Sequence, residues 1–526
     1  MEIFLDKHRE AIQGAIKGFD RLIFKGHLTS FFAQGAPARY LNKRGVLLKD
    51  AKKFFGAETA RIVDHAKQAA EQASRPFIYL ESAHTHASGQ SKEAKAQEIA
   101  KRDNITEGLV CVFSVLETCN SFAVVGNRKT HRLEVVPRKR KCLHLYWYLI
   151  HPEFGWMHVR IQTWAPYGIQ VYVNGREWMC RQLSRQCVDF ERSDNKIIWL
   201  SDFEAAEKLS EKFNHIDWPT ALMPLVLMVN PLMDDLAKAG FSGYWLGTNQ
   251  AEVTTDILFK SRDELEHIYK DMTTAAMTAF GATDVMRFLG RKLNGNFKGE
   301  VIIDSKKRPE GVRVKFRMKR NSIKIYDHQN VLRLETTLNN PAEFKILKSS
   351  ENEQGQSVSR WSPMRKGVSN FWRYSQVGHA ANARLIDALA NAPLQGSAID
   401  ELDRLSRSQS KDGRRVAGLS PVSKENIELF KALLSGEFAI NGFRNSDLQR
   451  KIFDTKPKDR TEAKRRIHRT SRLIAKLRGH RLIHKVQNSR LYRLSAQGVR
   501  TMWAAVRLHD VDFPCAFNLA STFAQK

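Results

Sequence analysis

The chain has no apolar run that approaches the length of a membrane span. The longest candidate, Ala221 to Val229, is about half the ~20 residues a spanning helix needs. The opening Met1-Glu-Ile-Phe-Leu-Asp-Lys-His8 lacks the basic and apolar regions of a signal peptide, which points to a cytoplasmic protein of bacterial or archaeal style. Cysteine is scarce: six, at 111, 119, 142, 180, 187 and 515, with no CxxC pair. That excludes a disulfide scaffold, argues against a cysteine-built zinc site, and predicts small core residues in a reducing compartment. Walker A, dinucleotide, GxSxG and HExxH patterns are all missing, so the nucleotide and hydrolase classes they mark are not indicated. Acidic residues are too few to balance the basic ones: 56 Asp and Glu against 85 Lys and Arg, a net of +29. Charge of that size implies a polyanionic partner, nucleic acid before membrane.

The 526 residues allow two to four domains, and the 42% hydrophobic content is that of a globular chain. Amphipathic stretches at 7–18 and 58–74 predict helices, with a short strand from Phe19 between them. A helix is expected over 91–102, and an unbroken apolar run from Gly108 to Glu117 predicts a buried strand. Three aromatic strands between 143 and 173, with turns at Pro152-Glu-Phe-Gly155 and Ala165-Pro-Tyr-Gly168, predict an antiparallel meander. Strands return over 301–344. The expected class is therefore α+β: a body of mixed helix and antiparallel sheet. Boundaries are placed at 1–140 (an N-terminal α/β region), 141–347 (sheet-rich), 348–419 (linker and helical connector) and 420–526 (a basic terminal domain). Polar segments 348–360 and 406–421 read as a loop and a linker.

The terminal domain carries the strongest signal. Between Thr461 and Arg478, Ala463, Ile467, Thr470, Ile474 and Leu477 recur at spacings of four, three, four and three, the stripe of a helix burying one face. Around it lie Lys464, Arg465, Arg466, His468, Arg469, Arg472, Lys476 and Arg478. Thr461 suits an N-cap and Gly479 a left-handed C-cap. Residues 481–494 then form two short strands about a Gln487-Asn488-Ser489 turn, with Arg490 and Arg493 on the return. From Pro421 to Arg500 there are 20 Lys and Arg against 7 Asp and Glu, a local net of +13. With helices expected over 423–435 and 445–453, the order resembles the winged-helix DNA-binding domains, including the MarR-like regulators. That resemblance implies a third helix in the major groove, with Arg465, Arg466, Arg469, Arg472 and Lys476 toward the duplex and Lys485, Arg490 and Arg493 on the wing.

Chemistry has three candidate locations. Lys324-Ile-Tyr326-Asp327 and Leu332-Arg333-Leu334-Glu335 lie on two strands joined by a His328-Gln329-Asn330 turn. Alternation places Tyr326 beside Lys324, and Arg333 beside Glu335. Tyrosine as nucleophile, carboxylates holding Mg²⁺ or Mn²⁺ and arginine on phosphate would serve phosphodiester chemistry. The segment resembles the hairpin of rolling-circle replication initiators, with His328 standing where that pattern has lysine; a surface ion-pair ladder fits the same residues. Asp20 and Glu117, at an early strand start and a buried strand end, match an RNase H-like layout or, equally, two solvated strand ends. His84 and His86 form an HxH pair in a loop-like stretch. The aromatic strands either stack unpaired bases or pack a core, and the flanking Pro137-Arg-Lys-Arg-Lys141 reads as a solvated basic loop.

The expected function is nucleic-acid binding, DNA before RNA, with DNA processing of mobile-element or replication-initiator type as one class. A non-enzymatic regulator or structural nucleic-acid-binding protein is the other, and an RNase H-like metal-dependent nuclease a third.

Overall fold

The computed structural model describes residues 1–514 except 82–90, 242, 279, 292–299, 309–310, 352–356, 392–397, 412–413, 454 and 456. The strands in chain order begin with β1 (Ile12–Leu28), β2 (Phe77–Leu80), β3 (Gly108–Asn127), β4 (Arg132–His151), β5 (Gly155–Gln162) and β6 (Ile169–Asn174). Next come β7 (Phe190–Ser193), β8 (Lys196–Leu200), β9 (Tyr244–Phe259), β10 (Val301–Arg308), β11 (Gly311–Met318), β12 (Asn321–His328) and β13 (Val331–Leu338). The last are β14 (Lys345–Glu351), β15 (Ser357–Pro363), β16 (Gln409–Lys411), β17 (Arg414–Val416), β18 (Ile483–Lys485) and β19 (Tyr492–Leu494). Helices alternate with a large mixed sheet and small antiparallel hairpins, so the class is α+β. Two compact units divide the chain: a central unit, Ile16–Thr254 with Thr337–Gln376, and a terminal unit, Met1–Ala15, Thr255–Thr336 and Val377–Lys526.

In the central unit the strand order is β1-β6-β5-β4-β3-β2, antiparallel except that β2 runs parallel to β3. Leu22, Phe24, Gly26 and Leu28 of β1 are buried in alternation, the period of a strand. The helix expected over 7–18 is instead Glu2–Lys7 followed by β1. Ile16 and Phe19 carry a helix-like spacing, but antiparallel pairing with β6 from Arg21 to Gly26 is a long-range stabilisation the local pattern cannot register. The meander is present as β4-β5-β6. Three of its aromatics are core: Trp147, Tyr148 and Tyr167 are at most 2% exposed and have no face on which to stack bases, whereas Trp156 and Trp164 are half-buried. The 137–141 basic run is not a loop but part of β4, paired with Thr118 to Phe122 of β3; it stays solvated because burial on β4 begins only at Cys142. A boundary at 140 would thus cut β4, and one at 347 would cut β14. Of the polar 348–360 stretch, 348–351 belong to β14 and 357–360 to β15, which pair with each other, the Ser349 and Ser359 hydroxyls lying 2.8 Å apart. β15 is largely exposed and needs no apolar alternation.

In the terminal unit the order is β10-β11-β12-β13-β9. The Arg262–Thr278, Ala282–Phe288 and Phe371–Ala390 helices bury Leu265, Met286 and Leu385 with Phe316, Ile323 and Leu334 of the strands. A second core joins the Lys424–Leu433, Asn445–Ile452, Arg460–Gly479 and Ala496–Arg507 helices through Phe430, Leu448, Ile474, Leu477, Ile483 and Met502. The expected 406–421 linker is ordered in part as the β16–β17 hairpin, and Leu405 and Leu419 on either side of it are buried in this core.

Candidate functional site

The Arg460–Gly479 helix is built from a buried and a charged face. Thr470, Ile474 and Leu477 are buried, whereas Ile467 is 47% exposed, so the apolar stripe extends only over the last three turns. Asp459, not Thr461, is the N-cap: its carboxylate accepts from the Glu462 amide. Gly479 is the last helical residue, and the left-handed residue is Arg481. Glycine is required at 479 by proximity, since a Cβ there would meet the Val416 side chain at 2.7 Å. At 100° per residue, Arg465, Arg469, Arg472 and Lys476 cluster on one face, about 140° round the helix from the buried stripe. Asn445 begins the preceding helix and its amide donates to the Ser471 hydroxyl at 2.9 Å; Arg444 is the cap residue there.

The hairpin that follows pairs Ile483 with Leu494 and Lys485 with Tyr492, around a turn in which Asn488 is left-handed. Phe443 forms an antiparallel bridge to Tyr492, adding a third short extended segment beside the hairpin. Lys485, Arg490 and Arg493 are exposed; Arg493 is on β19, and Arg490 precedes it in the connecting turn.

The arginines fall into two sets. Arg466 is occupied: its guanidinium donates to Glu462 at 3.0 Å and to the Thr455 carbonyl, and stacks 4.7 Å over Phe453. Arg469 pairs with Glu425 at 2.5 Å, an exposed contact that water and salt weaken. Arg465 and Arg472 are exposed and make no hydrogen bond or ion pair with another described residue. They are seven residues apart, so about 10.5 Å along one face.

On the β12–β13 hairpin, Tyr326 donates to Glu335 Oε2 at 3.2 Å and Lys324 pairs with Glu335 Oε1. Burial pushes the Glu335 carboxyl up, but the Lys324 charge and hydrogen bond, with the Arg333 charge, outweigh it and hold the group below its usual range. Arg333 is held elsewhere. Its Nε and Nη2 donate to the two oxygens of Asp256 at 2.6 and 2.7 Å, with both residues at most 1% exposed. So Lys324, Tyr326 and Glu335 meet, whereas Arg333 lies in a closed, bidentate buried pair and presents no donor face to a phosphate. Sequence reasoning missed Asp256. Its signal is a lone acid inside the apolar run Val253-Thr-Thr-Asp-Ile-Leu-Phe259, which demands a buried cation.

Asp20 and Glu117 are not brought together. Asp20 lies within β1 rather than at its start, and Glu117 within β3 rather than at its end; three strands separate them, so their backbones are about 19 Å apart. That exceeds what a shared pair of metal ions spans. Asp20 accepts from the Asn195 amide, and its carboxylate approaches that of Glu252 within 4.8 Å, a neighbour the sequence does not announce. Glu117 accepts from Lys92 at 2.7 Å and Tyr146 at 2.8 Å, with Arg160 at 3.7 Å. Burial raises its pKa, but these donors prevail and hold it low. It is a satisfied ion-pair centre. His84 and His86 lie outside the described residues. Cys119 and Cys142, expected as separate core thiols, are joined across β3 and β4 as a disulfide. Among the described residues no helix is long and apolar enough to cross a membrane.

Comparison with protein-family models, with curated proteins and with solved structures gives no match for this chain.

Proposed function

We propose that the chain binds duplex nucleic acid, DNA in the first place, through its C-terminal helix-and-hairpin module. The observation that carries this is the opposition of two faces on the Arg460–Gly479 helix. One is sealed into the apolar core by Thr470, Ile474 and Leu477. The other presents Arg465 and Arg472 to solvent with no acidic neutraliser among the described residues. Arginine is weakly hydrated and planar, suited to phosphate and to the guanine edge. Lys485, Arg490 and Arg493 on the hairpin extend the cationic surface, as a wing touching backbone does. The helix order and the Phe443–Tyr492 bridge support a winged-helix arrangement. The Glu425 pair leaves Arg469 able to exchange its carboxylate for a phosphate at small cost, because exposed pairs contribute at most ~1 kcal/mol.

The experiment is titration of the full chain with labelled duplex DNA, duplex RNA and single strands over a range of salt. Tight, salt-sensitive binding to duplex DNA supports the proposal. Preference for RNA duplex would change the partner but keep the surface, and salt-independent or absent binding would remove it.

A further inference from the structure

We propose that Cys119, Cys142 and His144, with the two cysteines reduced, form a thiolate–imidazole site for a soft divalent cation, Zn²⁺ first. The three residues are brought together by strand geometry within the central unit. Cys142 and His144 are two apart on β4 and share a face, and Cys119 stands opposite Arg140 on the adjacent β3, on that same face. The two sulphurs and an imidazole nitrogen all lie within 4.8 Å of one another, and all three residues are at most 8% exposed.

The second observation concerns the imidazole. His144 Nδ1 is 3.2 Å from the Cys142 carbonyl, a contact that fixes the proton on Nδ1 and leaves the lone pair on Nε2. Nε2 is buried and has no hydrogen-bond partner among the described residues. A buried acceptor without a donor is costly and rare, and a metal-ligating histidine characteristically donates its other N–H to a carbonyl in this way. Two thiolates and one imidazole select zinc-like ions over Mg²⁺ or Ca²⁺. Their charges also sum to zero with Zn²⁺ and a neutral ring, so burying the loaded site carries no net charge into the sheet.

Three protein ligands leave a fourth tetrahedral position. Cys119 also lines a cavity of about 810 Å³ with Asn120, Arg160 and Gln162, which opens on the Cys119 side of the site. The disulfide and the loaded site are alternative states of the same sulphurs. Oxidation by a small-molecule disulfide transfers two electrons from the thiolates to that reagent, whose own S–S bond breaks and which leaves as two thiolates that take their protons from water. The S–S bond forms and the cation is released.

The test uses the full chain, reduced with a phosphine and freed of metal. Zn²⁺ is added, excess is removed, and metal per chain is measured; Co²⁺ is titrated in parallel and followed by thiolate-to-metal absorbance. About one equivalent is expected, with thiolate bands for Co²⁺ and at least ~10-fold weaker binding in Cys142→Ser and His144→Gln. Cys187→Ser, at an exposed free cysteine, should change nothing. Should a variant fail to fold, alkylation mapping of the wild type decides: bound Zn²⁺ must protect Cys119 and Cys142 and leave Cys187 reactive. A reduced wild type that binds no metal, or equal alkylation with and without Zn²⁺, overturns the site.

Discussion

Replacing Asp256 by Ala removes the carboxylate that accepts two parallel hydrogen bonds, at 2.6 and 2.7 Å, from the Arg333 guanidinium. Arg333 is 1% exposed and Asp256 0%, so water cannot take over the lost role. An ionised group stripped of its partner at such a site costs about 3–5 kcal/mol. Replacing both residues, Asp256→Leu with Arg333→Leu, deletes the charge together with its counter-charge and should cost far less than the two single changes added together. The coupling should exceed ~2 kcal/mol, which two residues in direct contact can carry. Amide hydrogen exchange along β12 and β13, together with urea unfolding, measures both. Protection there should collapse in Asp256→Ala and recover in the double variant. A single-variant cost below ~1 kcal/mol, or costs that simply add, would refute the buried-pair account and return Arg333 to the pool of residues able to meet a phosphate.

Other consequences follow from neighbouring contacts. Tyr326→Phe keeps the ring and loses one hydrogen bond to Glu335, so stability should fall by about 1 kcal/mol with duplex affinity unchanged; a protein–DNA adduct that vanishes in this variant would instead reveal nucleophilic chemistry. Because the folded Glu335 carboxyl is held below its unfolded value of 4.5, its contribution is complete above that value and is lost as pH falls through the folded value. Glu335→Gln should therefore flatten the acid side of the stability–pH curve of the terminal unit, and an unchanged acid limb would contradict the pairing. Gly479→Ala forces a methyl to within 2.7 Å of Val416 and should cost about 1–3 kcal/mol, read as a lower melting temperature; a neutral or stabilising result would show that Val416 gives way.

Much of the architecture was legible where one period dominated. The β4-β5-β6 meander, the β12–β13 hairpin with left-handed Gln329, and the helices of the terminal module all follow from spacing and turn residues in the chain. The failures have a common cause. β1 carries a helical spacing over Ile12, Ile16 and Phe19, but the same strand runs on to Leu28 and pairs over Arg21 to Gly26 with β6, more than a hundred residues away. The polar segments at 348–360 and 406–421 look unstructured because the strands within them, β15 and the short β16 and β17, carry no apolar alternation. Alternation puts Tyr326 with Lys324 and Arg333 with Glu335, and across the two strands Tyr326 meets Glu335; that Arg333 turns to Asp256 depends on a strand the hairpin sequence does not contain. Likewise Gly479 was marked by its position after a helix, yet its role comes from Val416. Side-chain partners across long sequence separations are what periodicity cannot supply.

The charged face of the Arg460–Gly479 helix is best tested by the salt dependence of duplex DNA binding by the wild type and by Arg465→Ala/Arg472→Ala. These two side chains are exposed, so the fold should be untouched. Affinity of the wild type should fall linearly on logarithmic axes with salt, and the double variant should bind more weakly with a slope shallower by about 1 for each arginine removed. Equal slopes and equal affinities in the two proteins would contradict the account and assign this face to a partner other than nucleic acid.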